Sequence, residues 1–375
     1  MKYNISICIF LITFSCMSME NIHDKKFKEI TIIQEPIGVR YLTKNHAIIF
    51  GKNGCSIIDV VANKEIKKID NDNYTSTNFS HISLRPDKKK IAVSNKKNIK
   101  IYDVATGNQE WSTVRANNIY GVVFSSLDTT IFLMTCAYDY KNTITKHNYV
   151  TNEQCEIYHD SYVYPSIALH PTQNSMCVGN TNHDMFLYQL DNLQLAEKKD
   201  QLKNIIAQSY QYSHDGSFIL AYGLRDLYIT DANLKNFSSY CILGSNESDL
   251  HGFILNATST MLIILLSIQE GSDSYYAVRY WDITTQRCIK TVKIEKKNLR
   301  FIYSIYKRFS LSDDETELMI VLNNKCIIVP VPFEVNKKSI FLSWILKNYQ
   351  KNNPEIPNEI VQYIFSAVRD ITECV

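Results

Sequence analysis

The 375-residue sequence predicts an all-β chain, and three features carry that prediction. A unit of three apolar strands separated by polar turns recurs along the chain, its period is that of a four-stranded sheet, and strand-forming residues abound while glycine is scarce. Seven copies of the unit make a seven-bladed β-propeller of four-stranded antiparallel blades, followed by a short C-terminal α-helical extension.

Composition sets the limits first. The chain is 45% hydrophobic and 21% charged, with 40 basic against 38 acidic side chains. That is a globular chain with a sizeable core, not a disordered one and not a polybasic nucleic-acid binder. Eleven glycines in 375 residues are about 3%, against about 7% in ordinary proteins. No two of them stand two apart, so the G-x-G-x-x-G and Walker loops of nucleotide binders are absent.

The N-terminus places Lys2 before an apolar run from Ile5 to Phe14, too short to span a bilayer as a helix. Cys16 and Ser18 supply the small residues that signal peptidase needs, so residues 1–18 read as a secretory signal. An uncleaved apolar start is the alternative. Export follows from cleavage; an uncleaved chain would be cytoplasmic. No stable membrane insertion is expected once the signal is removed.

The repeat is clearest at Ile82–Leu84, Arg85-Pro86-Asp87, Ile91–Ser94 and Asn98–Asp103. Under it align Val122–Phe124, Ile131–Met134 and Ile144–Asn148; Ile167–Leu169, Met176–Gly179 and Met185–Gln189; and Tyr210–Tyr212, Phe218–Ala221 and Leu227–Asp231. Phe253–Leu255, Met261–Leu265 and Val278–Asp282 follow, with outer copies beginning at Val39 and at Phe309. Third strands end at 59, 103, 148, 189, 231, 282 and 330, in steps of 44, 45, 41, 42, 51 and 48. Propeller blades repeat at roughly 40 to 45 residues. The long fifth step contains the polar insertion Ser267–Ser274.

Ser213-His214-Asp215-Gly216, Arg85-Pro86-Asp87 and Tyr280-Trp281-Asp282 resemble the turn and namesake dipeptide of the WD40 family, over residues about 27 to 333. The family's Gly-His pair has no counterpart, so regular period rather than motif identity carries the resemblance. It implies a protein-interaction platform. Only Gly216 stands at the turn where such blades keep glycine; Lys88, Thr129, Gln173 or Asn174, and Asp314 stand in elsewhere.

Six copies are followed by a candidate fourth strand, such as Glu65–Ile69 or Cys288–Val292, and the seventh is not. The strand over 27–33 is available to complete it and close the ring. Residues 339–375 read as helical. Ile356–Phe365 resembles the opening helix of an F-box, although only ten residues follow where that module needs two more helices. The tail either packs its apolar face on the propeller or docks a partner.

Chemistry-bearing patterns are few. There is no G-x-S-x-G, H-E-x-x-H or C-x-x-C. Asp70-Asn71-Asp72-Asn73 opens like a calcium loop but lacks the later ligands, and reads as a solvated connection. Asp313-Asp314-Glu315, His170, His214 and Lys88-Lys89-Lys90 all fall in hairpin turns and read as surface turns. Cysteines 55, 136, 155, 177, 241, 288, 326 and 374 are scattered and read as structural, without assignable pairs. Five N-x-S/T sequons start at Asn73, Asn78, Asn236, Asn246 and Asn256. No cofactor, metal ligand or catalytic residue is assigned.

What remains is a face. Loops between second and third strands hold Tyr138, Tyr140, His183, Arg225, Tyr275 and Tyr276, together with Lys96, Lys97 and Asp226. Tyrosine and arginine anchor many interfaces, so the first six are the candidate partner-binding residues. The function expected is a non-catalytic, monomeric scaffold for a protein or peptide, with no nucleic acid. Two alternatives stay open: a hydrolase or lyase with its site in the central channel, and an intracellular adaptor that recruits through the helical tail.

Overall fold

The computed structural model describes residues 27–30, 36–51, 54–70, 72, 80–125, 129–136, 142–159, 166–179, 185–191, 194–199, 209–222, 226–241, 247–296, 309–322 and 325–331. The segment 1–18 and the tail 339–375 lie outside them. Among the described residues, 28 strands form seven four-stranded antiparallel sheets, the blades of a propeller.

Strand β1 (Lys28–Ile30) precedes blade 1, which holds β2 (Pro36–Tyr41), β3 (His46–Gly51), β4 (Gly54–Asp59) and β5 (Lys64–Asp70). Blade 2 holds β6 (Ser80–Leu84), β7 (Lys90–Asn95), β8 (Asn98–Asp103) and β9 (Gln109–Val114). Blade 3 holds β10 (Asn118–Phe124), β11 (Thr130–Cys136), β12 (Asn142–Asn148) and β13 (Gln154–His159). In blade 4 are β14 (Ser166–Leu169), β15 (Ser175–Gly179), β16 (Met185–Gln189) and β17 (Leu195–Lys199). Blade 5 comprises β18 (Ser209–Tyr212), β19 (Phe218–Tyr222), β20 (Asp226–Asp231) and β21 (Phe237–Cys241). Blade 6 comprises β22 (Glu247–Leu255), β23 (Met261–Glu270), β24 (Asp273–Asp282) and β25 (Arg287–Lys296). Blade 7 runs β26 (Phe309–Leu311), β27 (Glu317–Leu322) and β28 (Lys325–Pro330), and β1 is its fourth strand.

That last pairing joins the two ends of the chain. β1 runs antiparallel to β28 with Lys28 opposite Ile328, Glu29 opposite Ile327 and Ile30 opposite Cys326. Ile30 is 2% exposed and lies in the apolar cluster between blades 7 and 1. Lys28 Nζ donates to the carbonyls of Val60 and Val61 in blade 1, at 2.6 and 2.7 Å. Residues 31–33 of the expected strand lie outside the described residues.

Second strands read as unbroken apolar runs because both of their faces are buried. Along β3, Ala47 and Ile49 enter the cluster shared with blade 7, whereas Ile48 and Phe50 enter the one shared with blade 2. Along β23, Met261, Ile263 and Leu265 face blade 7, and Leu262, Ile264 and Leu266 face blade 5. A period of two thus sends neighbouring side chains into different junctions. Among the described residues each of the seven junctions has its own cluster.

The turns have two recurrent devices. Asp59, Asp103, Asp231, Asp282 and Asn148 end third strands, and each accepts backbone N–H groups of the turn that follows. Those bonds favour the carboxylate and lower the pKa of Asp59, Asp103 and Asp231. The acidic signature at 59, 103, 231 and 282 is a turn cap.

The second device lies between first and second strands, where Lys88, Gly216, Ser259 and Glu315 adopt left-handed backbone with φ of 60°, 75°, 57° and 57°. The last turn uses Glu315 there, not Asp314, whose carboxylate instead accepts from Ser312 and Thr316. Non-glycine residues in this conformation carry a strain of roughly 1 kcal/mol. Each uses its side chain to reach the preceding blade. Lys88 Nζ donates to Leu42 O at 2.8 Å and pairs with Asp313 of blade 7. Ser259 Oγ accepts from His214 N at 2.8 Å, and Glu315 Oε1 accepts from Ala257 N at 2.5 Å. At Gly216 the direction reverses: His170 of blade 4 reaches forward to the glycine's carbonyl at 3.1 Å. The remaining junctions are spanned by Lys44–Asp314 at 2.7 Å, Arg85 to Tyr149 Oη at 3.1 Å, and Lys146 to Leu190 O at 2.6 Å. Lys88 and His170, expected in surface turns, are therefore junction contacts, and His170 is only 3% exposed.

Two predictions follow from this architecture. Ile30→Ala should cost about 2–4 kcal/mol in urea unfolding, the range for a buried Ile or Leu truncation. Ile66→Ala, at a position 53% exposed on the outer strand of blade 1, should change stability by less than about 0.5 kcal/mol; equal effects would refute closure through β1. A double-mutant cycle on Lys88→Met and Asp313→Asn should give a coupling of about 0.5–1 kcal/mol that fades in high salt.

Candidate functional site

Of the six candidate residues, Tyr138, Tyr140, His183 and Arg225 lie outside the described residues. Tyr275 and Tyr276 are on strand β24 rather than in a loop. The polar insertion of blade 6 does not form a loop but lengthens the hairpin: β23, β24 and β25 have ten residues each, against seven or fewer in the second to fourth strands of other blades. Pairing continues through Ser267–Tyr276, Ile268–Tyr275, Gln269–Ser274 and Glu270–Asp273. Gly271, at φ 59° with open space around it, makes the turn.

Neighbours on a strand point to opposite faces, and this separates the two tyrosines. Tyr276 is 8% exposed and belongs to the cluster between blades 6 and 7. Its ring meets His251 edge-on with centroids 5.3 Å apart, and the His251 imidazole bonds to the buried Ser267 hydroxyl. Tyr276 is thus a core residue and no partner anchor. Tyr275 lies on the other face and is part-exposed. Lys293 Nζ sits 5.5 Å from its ring centroid and 2.5 Å from Glu270 Oε1, while Tyr275 Oη reaches Asp273 Oδ2 at 3.4 Å.

Tyr275, Lys293, Glu270 and Asp273 therefore form a connected polar and aromatic surface at the end of the longest hairpin. Lys293, Glu270 and Asp273 were not legible as site residues, because the pairing of β24 with β25 brings Lys293 across from Ala277. The alternation of Gln269-Glu270 against Asp273-Ser274-Tyr275 was the available signal. On the same side of blade 2, Lys96 and Lys97 use their carbonyls to accept from Ile119 N and Arg115 N, each at 2.8 Å. In blade 5, Asp226 accepts from Tyr228 Oη at 3.3 Å.

Other expectations resolve into contacts at the junctions. Asp70 is buried at the end of β5, and Lys100 Nζ lies 3.4 Å from its Oδ1 and 2.9 Å from Asp72 Oδ2. These two carboxylates thus form an ionic link to a lysine of the neighbouring blade. Lys90, from the lysine run, pairs with Glu110. Between blades 2 and 3, Trp111 donates to Asn152 Oδ1 at 3.0 Å and packs edge-on against His147, whose pKa is lowered by burial and by the nearby Arg115 charge. On the innermost strand of blade 1, Arg40 donates to Val39 O at 2.8 Å, and burial lowers its pKa to about 10.

Cysteines 55, 177 and 326 are buried and their thiols are pushed up by desolvation, but Cys155 and Cys288 are exposed. The Asn256 sequon is closed to modification in the folded chain, since Asn256 is 0% exposed and bonds to Thr258 and Thr260. Among the described residues no three His, Cys, Asp or Glu side chains converge to hold a metal, and no helix is long and apolar enough to cross a membrane.

No family model and no curated protein matches the chain. Among solved structures it is similar to the β-propeller domain of Cps50 (Swd1) from Myceliophteria thermophila, with a TM-score of 0.64 and 10% identity over 81% of this chain and 98% of that one. At that identity the likeness is one of fold. The chain is a seven-bladed β-propeller of four-stranded antiparallel sheets, a fold it shares with that domain.

Proposed function

We propose that the chain is a non-catalytic scaffold that presents the face bearing the blade 6 hairpin to a protein or peptide partner. The observation that carries this reading is the hairpin itself: its ten-residue paired strands outreach those of the other blades and display Tyr275, Lys293, Glu270 and Asp273 on a backbone fixed by its ladder. A part-exposed tyrosine held by a cation and one carboxylate loses little side-chain freedom on binding, which favours affinity. The propeller supplies the rigid frame, because every junction is packed and spanned by a polar contact. Tyr138, Tyr140, His183 and Arg225 stand between second and third strands in the sequence, and the proposal extends to them from that position. The chain acts outside the cytosol, a reading supported by the signal-like residues 1–18.

Immobilised full-length chain should retain a set of proteins from its native extract that Tyr275→Ala/Lys293→Ala releases, with the melting temperature of the variant unchanged. A tenfold loss in affinity corresponds to about 1.4 kcal/mol, a modest hot-spot value. Retention of the same set at equal strength would remove the hairpin from the binding face. Tyr276→Ala should instead lower the melting temperature, because it opens a cavity between blades 6 and 7.

A further inference from the structure

The junction between blades 4 and 5 is built differently from the other six. Its span is an imidazole, and its glycines are placed to receive rings: a Cβ at Gly179 would collide with Tyr210, and one at Gly216 with His170. The hydrogen bonds around His170 fix its tautomer. Nδ1 accepts from Thr172 N at 3.2 Å and from Gln173 N at 2.8 Å, so its lone pair is occupied and the proton resides on Nε2. Nε2–H then donates to Gly216 O at 3.1 Å. The neutral ring satisfies both nitrogens, holds its own turn and bridges to the next blade. A second proton on Nδ1 would face two N–H donors, and the arrangement would fail.

We infer that His170 is an acid-sensitive latch, whose protonation opens the seam between blades 4 and 5. Facing the ring are the Asp215 carboxylate of the blade 5 turn and the Tyr212 phenol of β18, which meets it edge-on with centroids 4.9 Å apart. Asp215 favours the imidazolium, but its charge is engaged by Ser217 N at 3.0 Å and Ser217 Oγ at 2.9 Å. Tyr212 remains a neutral phenol, since burial, with the Cys177 thiol beside it, raises its pKa far above the ordinary value. Burial of His170 outweighs Asp215 and the Gly216 carbonyl, and its pKa is lowered.

The direction of the effect follows from linkage. The closed seam holds the neutral ring, whereas the opened seam lets it titrate at its ordinary value of about 6.5. The latch is therefore fully effective above pH ~6.5 and weakens as pH falls below it. One unit below that value, an exposed imidazole is protonated about ten to one, so the open population rises by up to about tenfold if the closed ring stays neutral.

Hydrogen exchange of the full chain at pH 7.5 and 5.5, corrected for the intrinsic pH dependence of exchange, tests the latch. Amides in 170–175 and 213–218 should lose protection by up to about tenfold at the lower pH, while those of β3 and β4 hold theirs. In His170→Asn, whose carboxamide oxygen can still accept from the turn but binds no proton, both segments should show the same protection at the two pH values. Unchanged protection in the natural chain, an equal loss in His170→Asn, or a uniform loss over all blades would overturn the inference. Should His170→Asn not fold, the comparison of the natural chain at two pH values decides it alone.

Discussion

Every blade of this protein has two apolar faces, and only a closed ring gives each face a partner. That constraint governs the rest. It explains why second strands such as β3 and β23 carry continuous apolar runs, Ala47–Phe50 and Met261–Leu266, rather than alternating ones, and why neighbouring residues on a strand belong to different clusters. It also explains why a short segment near the N-terminus matters. Without β1, β28 would expose an unpaired edge, and Ile30 would leave the cluster between blades 7 and 1. Most of the free energy of such a core is apolar burial, which is non-directional, so it does not by itself set the angle between blades.

Directional contacts between blades are made at the turns. Ordinary turns of this kind carry glycine in the left-handed position, where it costs no steric strain. Here Lys88, Ser259 and Glu315 occupy it, and each side chain reaches back to the preceding blade. Strain of the backbone is offset by a contact that glycine could not make. Where glycine is kept, at Gly216, the contact comes from the other blade through His170. The scarcity of glycine is thus tied to how the ring is held, and the seam that keeps its glycine is the one bridged by the His170 imidazole.

Against this fixed frame the blade 6 hairpin stands apart. It is longer than its counterparts, ends in a glycine turn, and bears side chains that satisfy one another at the surface. Rigid paired strands hold such a group in place more exactly than a loop would. Binding by a scaffold of this sort draws on preorganisation, and the ring of junction contacts supplies it.

The architecture was legible in the sequence because periodicity is a local property: apolar runs, Asp-containing turns and a step near 44 residues follow from residues close in the chain. Fourth strands and the need for a closing strand could be read in the same way, since a missing copy shows in the pattern. Roles that depend on which side of a strand a residue faces are not legible where a polar stretch such as Ser267–Ser274 reads as a loop yet pairs as a strand. Tyr275 and Tyr276 are adjacent in sequence and were assigned together, yet the pleat sends one to the surface and the other into the core. His170 and Lys88 looked like surface-turn residues because nothing within a blade reveals that the next blade lies against its turn. Sequence alone determined the number of blades and the strands within them. Only the tertiary structure decided which polar side chains join blades and which face solvent, because those partners are contributed by different blades, 46 residues apart for His170 and Gly216 and 225 for Lys88 and Asp313.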